Sequence, residues 1–152
     1  MKPTHPVETL AEAASLGPTV SANVAVLLRA EALVELCLAV WAYSALGGAW
    51  PVFLALFLAP DLSMIGYLVN PRIGARLYNA GHTTLAPAFL ALAGFALAIP
   101  LLYSLALIWL AHIGFDRFIG YGLKFPQAFA ATHLGWKSAP SGFTTPHSQE
   151  HP

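Results

Sequence analysis

The sequence predicts an all-α protein, a transmembrane antiparallel four-helix bundle, from three observations. Of its 152 residues, 57% are hydrophobic and only 9% are charged, whereas a soluble domain carries about 25% charged residues. The apolar residues form four long runs without period-two alternation, which favours helices over strands. The links between the runs are short, so consecutive helices are expected to be antiparallel. Seven basic and seven acidic residues balance, and this neutrality gives no indication of a nucleic-acid partner.

Each of the four apolar runs is long enough to cross a bilayer. A transmembrane helix needs about 20 consecutive apolar residues, and the runs cover 24–46, 50–69, roughly 73–98 and roughly 101–120. The lipid bilayer is therefore the first partner that the sequence predicts.

Three prolines bear on these helices. Pro51 lies at the start of the second run, where a helix tolerates proline because its first amide groups have no partner. Pro60 and Pro87 lie inside the second and third runs. The sequence predicts kinks or locally opened backbone at both of them.

Segments of aqueous composition flank the four-helix domain, residues 24–120. Residues 1–23 are predicted to be a cytoplasmic N-terminal segment, since no apolar run follows Met1 as in a cleavable signal peptide. Residues 137–152 are rich in proline, serine and threonine and are predicted to be disordered. Aromatic side chains in residues 121–136 are expected to hold an interfacial segment at the membrane surface.

His133 has two interpretations within the interfacial segment. Gly120 and Gly122 would let the chain turn at the membrane surface, and Pro126 prevents a simple continuation of the helix. The segment then folds His133 beneath the bundle as a lid over a cytoplasmic mouth. In the alternative, the segment is a plain interfacial anchor.

The basic residues predict the orientation. Arg72 and Arg76 lie at the link between the second and third helices, Lys124 and Lys137 follow the fourth, and Lys2 precedes the first. The other two links carry no charge. The positive-inside rule therefore predicts that both termini are cytoplasmic.

Ionisable residues recur at a similar depth in all four predicted helices. At about 1.5 Å of rise per residue, they fall in the middle to cytoplasmic half of the bilayer. These residues are Glu31 and Glu35 on the first helix, Asp61 on the second, His82 on the third, and His112 and Asp116 on the fourth. The spacing of four residues puts each pair on one helix face. A buried carboxylate costs about 2.5 kcal/mol or more unless it is neutralised, so inward-facing acids need cations, protons or both.

The combination of imidazoles and carboxylates predicts one divalent metal. His82, His112, Asp116 and Glu35 are the predicted ligands, and this mixture suits Zn, Fe or Mn rather than Cu(I). Asp61 is either a further ligand or the base for a metal-bound water, and His133 is the second candidate for moving protons. Five other residues are predicted to line the site: Glu31, Arg29, Ser63, Asn79 and Arg117.

Each residue taken alone also fits a structural interpretation. A single intramembrane histidine is often a hydrogen-bonded packing residue, and Arg29 or Arg117 would then extend toward the head groups. A shared cluster without metal would instead be a coupled proton network, with His82 and His112 as the titrating pair.

Four segments of the chain resemble the hallmark segments of a known family. They are "FLAPDLSMIGYL", "YNAGHT", "LIWLAHIGFDRFIGYGLKFP" and "THLG", in this order within about 24–136. The family consists of small bacterial four-helix membrane proteins classed only as a domain of unknown function. The resemblance implies a multi-pass location in the bacterial inner membrane. It also implies that the family's polar signature positions are Asp61, His82, His112, Asp116, Arg117 and His133.

A looser similarity is to intramembrane metal-dependent hydrolases of the alkaline ceramidase type, which also combine serine, aspartate and histidine on helices. Here the last helix reads His-x3-Asp instead of His-x3-His. Two functional classes follow. One is a metal-dependent hydrolase acting on a lipid or another membrane-embedded substrate. The other is a non-enzymatic ion, proton or metal carrier, or a cofactor-binding membrane subunit.

Overall fold

The structure, a computed structural model, describes residues 22–124 and the backbone of 131–132 and 135–136. Residues 22–124 form helices joined by short links, and 131–132 pairs with 135–136 as a two-stranded sheet. The elements are α1 (Ala22–Ala45), α2 (Trp50–Leu56), a 3-10 helix (Ala59–Leu68), α3 (Pro71–His82), α4 (Leu85–Leu97), α5 (Pro100–Phe118), β1 (Ala131–Thr132) and β2 (Gly135–Trp136). The two strands pair antiparallel, with Ala131 opposite Trp136.

The predicted count of four helices was wrong, because the second and third apolar runs are each broken. Within residues 22–124, two segments are long and apolar enough to cross a membrane, namely Trp50–Leu68 and Pro100–Phe118. Helices α3 and α4 meet at an angle of 41° and form a third such segment if they are counted as one span. Helix α1 is 24 residues long but carries three charged residues, Arg29, Glu31 and Glu35.

Prolines lie beside both breaks. The second run leaves α-helical geometry after Leu56, and Pro60 lies in the first turn of the 3-10 helix. This helix has 10 residues, whereas 3-10 runs longer than about 3–4 residues are uncommon. The third run breaks at Thr83 and Thr84, and Pro87 occupies the first turn of α4. The kink predicted at Pro87 therefore lies at Thr83 and Thr84, just before α4 begins. Pro87 itself is in the first turn of α4, where backbone amides have no helical acceptor and none is lost.

Glycines bring the 3-10 helix against α3. A Cβ on Gly66 would lie 3.1 Å from the Gly74 Cα, so the two backbones are in contact there. A Cβ on Gly81 would lie 2.9 Å from the Ser63 Oγ. Small residues allow this close approach between helices, and it brings the start of the 3-10 helix next to the end of α3.

Helix α5 lies at the centre and packs mainly against α1 and α4. A Cβ on Gly114 would lie 2.9 Å from the Leu36 N and 3.0 Å from the Ala32 O, so α1 and α5 touch through their backbones. The buried core continues between α1, α2 and α5, and its members are Ala39, Tyr43, Phe53, Ile108 and Ala111.

The C-terminal ends of α1 and α5 follow from local sequence. Gly47 has φ +71°, and the Gly48 amide donates to the Tyr43 carbonyl at 3.0 Å, which is the pattern that ends a helix at a left-handed glycine. Gly120, with φ +91°, ends α5 in the same way, since the Tyr121 amide donates to the Asp116 carbonyl at 2.7 Å. The predicted turn at Gly120 is therefore present.

Large apolar side chains cover the outside of every α-helix and of the 3-10 helix. Leu54, Leu62, Leu92 and Leu101 are examples with 60–75% of their surface exposed. An apolar exterior of this extent marks an interaction surface, and it agrees with a membrane protein. Most of the predicted N-terminal segment, the predicted C-terminal tail and His133 lie outside the described residues.

Candidate metal centre

Three elements bring four potential metal ligands together. Asp61 lies in the first turn of the 3-10 helix, and His82 is the last residue of α3. His112 and Asp116 lie one turn apart on α5. One ligand atom from each of these residues lies within 4.8 Å of all the others. We call these four residues the His/Asp cluster; it could hold a metal ion.

The two imidazoles form the centre of the His/Asp cluster. The Nε2 atoms of His82 and His112 are 3.1 Å apart. The Asp61 Oδ1 lies 3.3 Å from the His82 Nε2 and 3.6 Å from the His112 Nε2. The Asp116 Oδ2 lies 3.5 Å and 4.0 Å from the same two nitrogens. Four ligand atoms about 2.0–2.2 Å from a tetrahedral zinc are about 3.3–3.6 Å from one another, and the separations here, from 3.1 Å to 4.0 Å, lie on both sides of that range.

Backbone geometry assigns the tautomer of His82. Its Nδ1 lies 2.9 Å from the Tyr78 carbonyl oxygen, and a carbonyl can only accept, so Nδ1 carries the proton and donates. The Nε2 lone pair of the neutral ring then faces the cluster. Metal-bound histidines commonly donate their second ring nitrogen to a carbonyl in this way, which fixes the ring and raises its basicity.

Tyr78 holds two members of the cluster. Its ring stacks on His82 with the centroids 3.8 Å apart and the planes at 13°. Its hydroxyl donates to the Asp116 Oδ2 at 3.1 Å. Nearby, the Trp109 Nε1 donates to the Gly81 carbonyl at 2.6 Å, which ties the end of α3 to α5. These contacts hold the cluster residues in place without occupying the ligand atoms of the histidines.

Burial differs between the histidines and the carboxylates. His82 and His112 are only 3% and 1% exposed, whereas the side chains of Asp61 and Asp116 are 38% and 14% exposed. Both aspartates line a cavity of about 250 Å³. The His/Asp cluster therefore has a buried imidazole side and an accessible carboxylate side.

Glu35, predicted as a ligand, lies in a different interaction. Its Oε2 is 3.8 Å from the Arg117 Nη1, and its Oε1 is buried without a hydrogen-bond partner among the described residues. The Arg117 Nη2 also approaches the His82 carbonyl oxygen at 3.5 Å. Arg117 thus links Glu35 on α1 to the end of α3, and Glu35 is not a member of the His/Asp cluster.

The other residues predicted to line the site are spread around it. The Asn79 side chain accepts a hydrogen bond from the Lys124 backbone amide at 2.7 Å and donates one to the Lys124 carbonyl at 2.9 Å. The guanidinium of Arg29 lies at the end of α5, where a Cβ on Gly120 would be 2.8 Å from its Nη2. Glu31 is exposed. The Ser63 Oγ is buried and, within the described part of the chain, has no hydrogen-bond partner.

Sequence reasoning missed Tyr78 and Lys124. Tyr78 precedes His82 by one helical turn, and this spacing could have indicated that the two side chains share a face. The Lys124 Nζ lies 4.5 Å from the Tyr78 ring centroid, and the residue is only 4% exposed. No pattern in the sequence links Lys124 to α3, because the link depends on the turn that follows Gly120.

Comparison with known proteins gives one result. The family model described as "Domain of unknown function (DUF4260)" matches residues 25–136. No curated protein and no solved structure matches the chain, so the looser similarity to alkaline ceramidase-type hydrolases has no support there. Because the matched range covers most of the chain, including the whole His/Asp cluster, the chain belongs to this family of domains of unknown function.

Proposed function

We propose that the protein is a multi-pass membrane enzyme that binds one divalent metal in the His/Asp cluster and hydrolyses a membrane-embedded substrate. The observation that carries this proposal is the convergence of four ligand atoms within 4.8 Å of one another. The donor set suits Zn²⁺, Fe²⁺ or Mn²⁺, because imidazole and carboxylate are ligands of all three ions.

The unequal burial of the cluster supports a catalytic rather than a structural metal. A structural zinc site is closed by four protein ligands, whereas a catalytic one keeps a position for water or substrate. We assign the metal to His82, His112 and Asp116, because Tyr78 already orients the Asp116 carboxylate. Asp61, which is 38% exposed at its side chain and lines the cavity, is assigned as the base.

The proposed reaction needs only water and the substrate. A metal held by His82, His112 and Asp116 would supply a water of lowered pKa and would polarise a carbonyl or phosphoryl oxygen of the substrate. Asp61 would accept one proton from the attacking water as the water oxygen bonds to the carbonyl carbon or phosphorus. The bond to the leaving group would then break, and Asp61 would return the proton to the leaving group.

The membrane topology is part of the proposal. Helix α1, the pair of α2 and the 3-10 helix, the pair of α3 and α4, and α5 would each cross the bilayer once. The basic residues near Arg72 and after α5, together with the uncharged links near Gly48 and Ile99, favour cytoplasmic termini. The family resemblance favours the bacterial inner membrane.

Metal stoichiometry and affinity test the proposal. The detergent-purified protein should contain one divalent metal per chain by elemental analysis. His112→Ala should lower its affinity by more than the roughly 10–100-fold typical of losing an outer partner, and His82→Ala should do the same. A double variant, His147→Ala with His151→Ala, removes the same kind of group from the C-terminal tail and is expected to retain the metal.

The proposal fails if the wild-type protein binds no divalent metal, or if His112→Ala binds it as tightly as the tail variant does. Asp61→Asn separates the two roles that the sequence left open for this residue. As a base, Asp61 is dispensable for binding, so Asp61→Asn should retain the metal. Loss of the metal would instead identify Asp61 as a ligand.

One observation favours a second candidate, a proton carrier. The 3.1 Å separation of the two Nε2 atoms also suits a hydrogen bond from the His112 ring to the His82 lone pair. The cluster would then pass protons between two imidazoles and two carboxylates without metal. A metal-free protein that carries protons into liposomes, and loses this activity in His82→Ala, would establish this alternative.

A further inference from the structure

Two exposed arginines lie on the outer face of α3. Arg72 and Arg76 are four residues apart, so their side chains are neighbours on one helix face; we call them the arginine pair. None of the ion pairs among the described residues includes either of them. The sequence holds no acidic residue between Asp61 and Asp116. The surrounding stretch of chain therefore supplies no negative charge for the arginine pair.

The start of α3 fixes the direction in which the arginine pair points. The Asn70 side chain accepts a hydrogen bond from the Ile73 amide at 2.9 Å and so caps the first turn of the helix. Gly74 contacts the backbone of Gly66 in the 3-10 helix. Residues 72 and 76 lie on the opposite side of the helix from residue 74. The arginine pair therefore faces away from the 3-10 helix.

Exposed apolar side chains lie beside the arginine pair. Ile73 and Leu77 follow the two arginines in the sequence and are exposed next to them on α3. Leu68 and Val69, at the end of the 3-10 helix and just after it, are exposed as well. A helix that presents arginine on one side and apolar residues on the other is typical of the interface between head groups and acyl chains.

The arginine pair also follows a segment of membrane-crossing length. The segment Trp50–Leu68 is long and apolar enough to cross a bilayer, and Arg72 comes four residues after its end. Long basic side chains near the end of such a segment extend to the head groups. The anionic lipids of the cytoplasmic leaflet attract basic residues at this level.

We propose that the arginine pair binds the phosphate of an anionic phospholipid whose acyl chains lie against the apolar side chains next to it. Guanidinium groups offer a planar fork of donors that matches phosphate oxygens. A soluble phosphate compound would leave the neighbouring apolar surface uncovered, whereas a lipid covers both parts. The partner is therefore a lipid of the membrane.

This lipid site is distinct from the His/Asp cluster. Arg76 and Arg72 precede His82 by six and ten residues, which is about 9 Å and about 15 Å along the helix. The lipid is accordingly a bound neighbour of the protein and not the molecule that reacts at the metal. The inference goes beyond the proposed catalysis, and it does not need a metal.

Native mass spectrometry of the full chain, released from uncharged maltoside micelles, tests the inference. Dioleoyl phosphatidylglycerol and dioleoyl phosphatidylcholine are titrated separately in the presence of EDTA, and these two lipids differ only in their head groups. Each arginine near an anionic lipid contributes about 1 kcal/mol, or a factor of about 5 in affinity. We therefore expect phosphatidylglycerol to bind about 30-fold more tightly than phosphatidylcholine.

Variants assign the preference to the arginine pair. Arg72→Gln and Arg76→Gln should each weaken phosphatidylglycerol binding about 5-fold, and the double variant about 30-fold. Binding of phosphatidylcholine should not change. A control double variant, Lys2→Gln with Lys137→Gln, removes the same charge elsewhere in the sequence and should retain the preference.

Three outcomes would overturn the inference. In the first, the wild-type protein binds the two lipids equally, a result that needs no variant. In the second, the arginine double variant retains the preference, or the lysine double variant loses it to the same extent. In the third, dimethyl phosphate at the concentration of the lipid displaces phosphatidylglycerol, which would identify a site for soluble phosphate compounds. Because EDTA is present throughout, a protein without zinc binding would reject the proposed function and leave this inference standing.

Discussion

The role of each buried polar side chain in this protein depends on the group that it contacts. The His82 Nδ1 donates a hydrogen bond to the Tyr78 carbonyl in the preceding helical turn. Its Nε2 is therefore available to the cluster. Glu35 lies near a cation, with its Oε2 3.8 Å from Arg117. A buried carboxylate without a neutralising partner is unfavourable, and Arg117 supplies this partner before any metal is needed.

Tyr78 provides a prediction at the residue scale. Tyr78→Phe removes the hydroxyl that donates to Asp116 at 3.1 Å but retains the ring that stacks on His82. We expect the affinity for zinc to fall by about 10–100-fold, the usual effect of losing a partner that orients a ligand. Competition with a zinc-binding fluorescent indicator measures this change.

Tyr43→Phe is the matched control. The Tyr43 hydroxyl donates to the Ala49 carbonyl at 2.8 Å, in the link between α1 and α2, and has no contact with the cluster. Its loss should leave zinc affinity unchanged. Equal zinc affinities for the two tyrosine variants would show that Tyr78 does not orient Asp116.

Glycines allow neighbouring helices to pack closely next to the His/Asp cluster. Gly74 and Gly81 lie seven residues apart on α3, which is two helical turns, and both contact the 3-10 helix. On α5, Gly114 touches the backbone of α1, two residues from His112 and from Asp116. The separation between helices is therefore set by residues next to the ligands.

Gly114→Ala is the prediction at the scale of elements. At an exposed helix position this change would stabilise the protein by about 0.5–1 kcal/mol. Here the new Cβ would lie 2.9 Å from the Leu36 N, and a backbone atom cannot move aside as a side chain can. We expect a net destabilisation of about 1–3 kcal/mol, as for other overpacked sites, measured by denaturant unfolding in micelles.

Ser104→Ala is the control on the same helix, at a partly exposed position. It should change the free energy of unfolding by less than about 0.5 kcal/mol. A Gly114→Ala variant that is as stable as the wild type, or more stable, would contradict the direct backbone contact between α1 and α5.

The whole molecule combines an apolar exterior with a polar interior cluster. Outward-facing leucines and phenylalanines cover the helices, while His82 and His112 are buried. In a soluble protein this distribution would expose too much apolar surface. In a bilayer the same surface faces hydrocarbon, and polar groups gather where they can pair with one another.

The orientation in the bilayer is a prediction at this scale. Reporter domains fused after Gly48, in an uncharged link, and after Pro152 are expected to report opposite compartments, with Pro152 cytoplasmic. The reason is the concentration of arginine and lysine near Arg72 and after α5. Identical readings from the two fusions would reject the proposed four crossings.

The sequence by itself determined the class of fold and the set of polar residues available to a site. Composition and the length of the apolar runs indicate which solvent surrounds the chain, and 9% charged residues indicate lipid. In lipid, helices are the simplest way to pair every backbone polar group. The same scarcity of charge made Asp61, His82, His112 and Asp116 conspicuous, and the structure brings these four together.

Only the tertiary structure decided which polar groups meet and where the helices break. The prolines predicted a break in the second and third apolar runs, but the structure decided its position, after Leu56 in one run and at Thr83 and Thr84 in the other, and made a 10-residue 3-10 helix of the second half of one run. The pairing of Glu35 with Arg117, the support from Tyr78 and the position of Lys124 likewise join residues distant in sequence. A side chain's depth follows from counting residues along a helix. Its partner depends on how the helices are rotated and spaced, and packing across the whole molecule sets this arrangement.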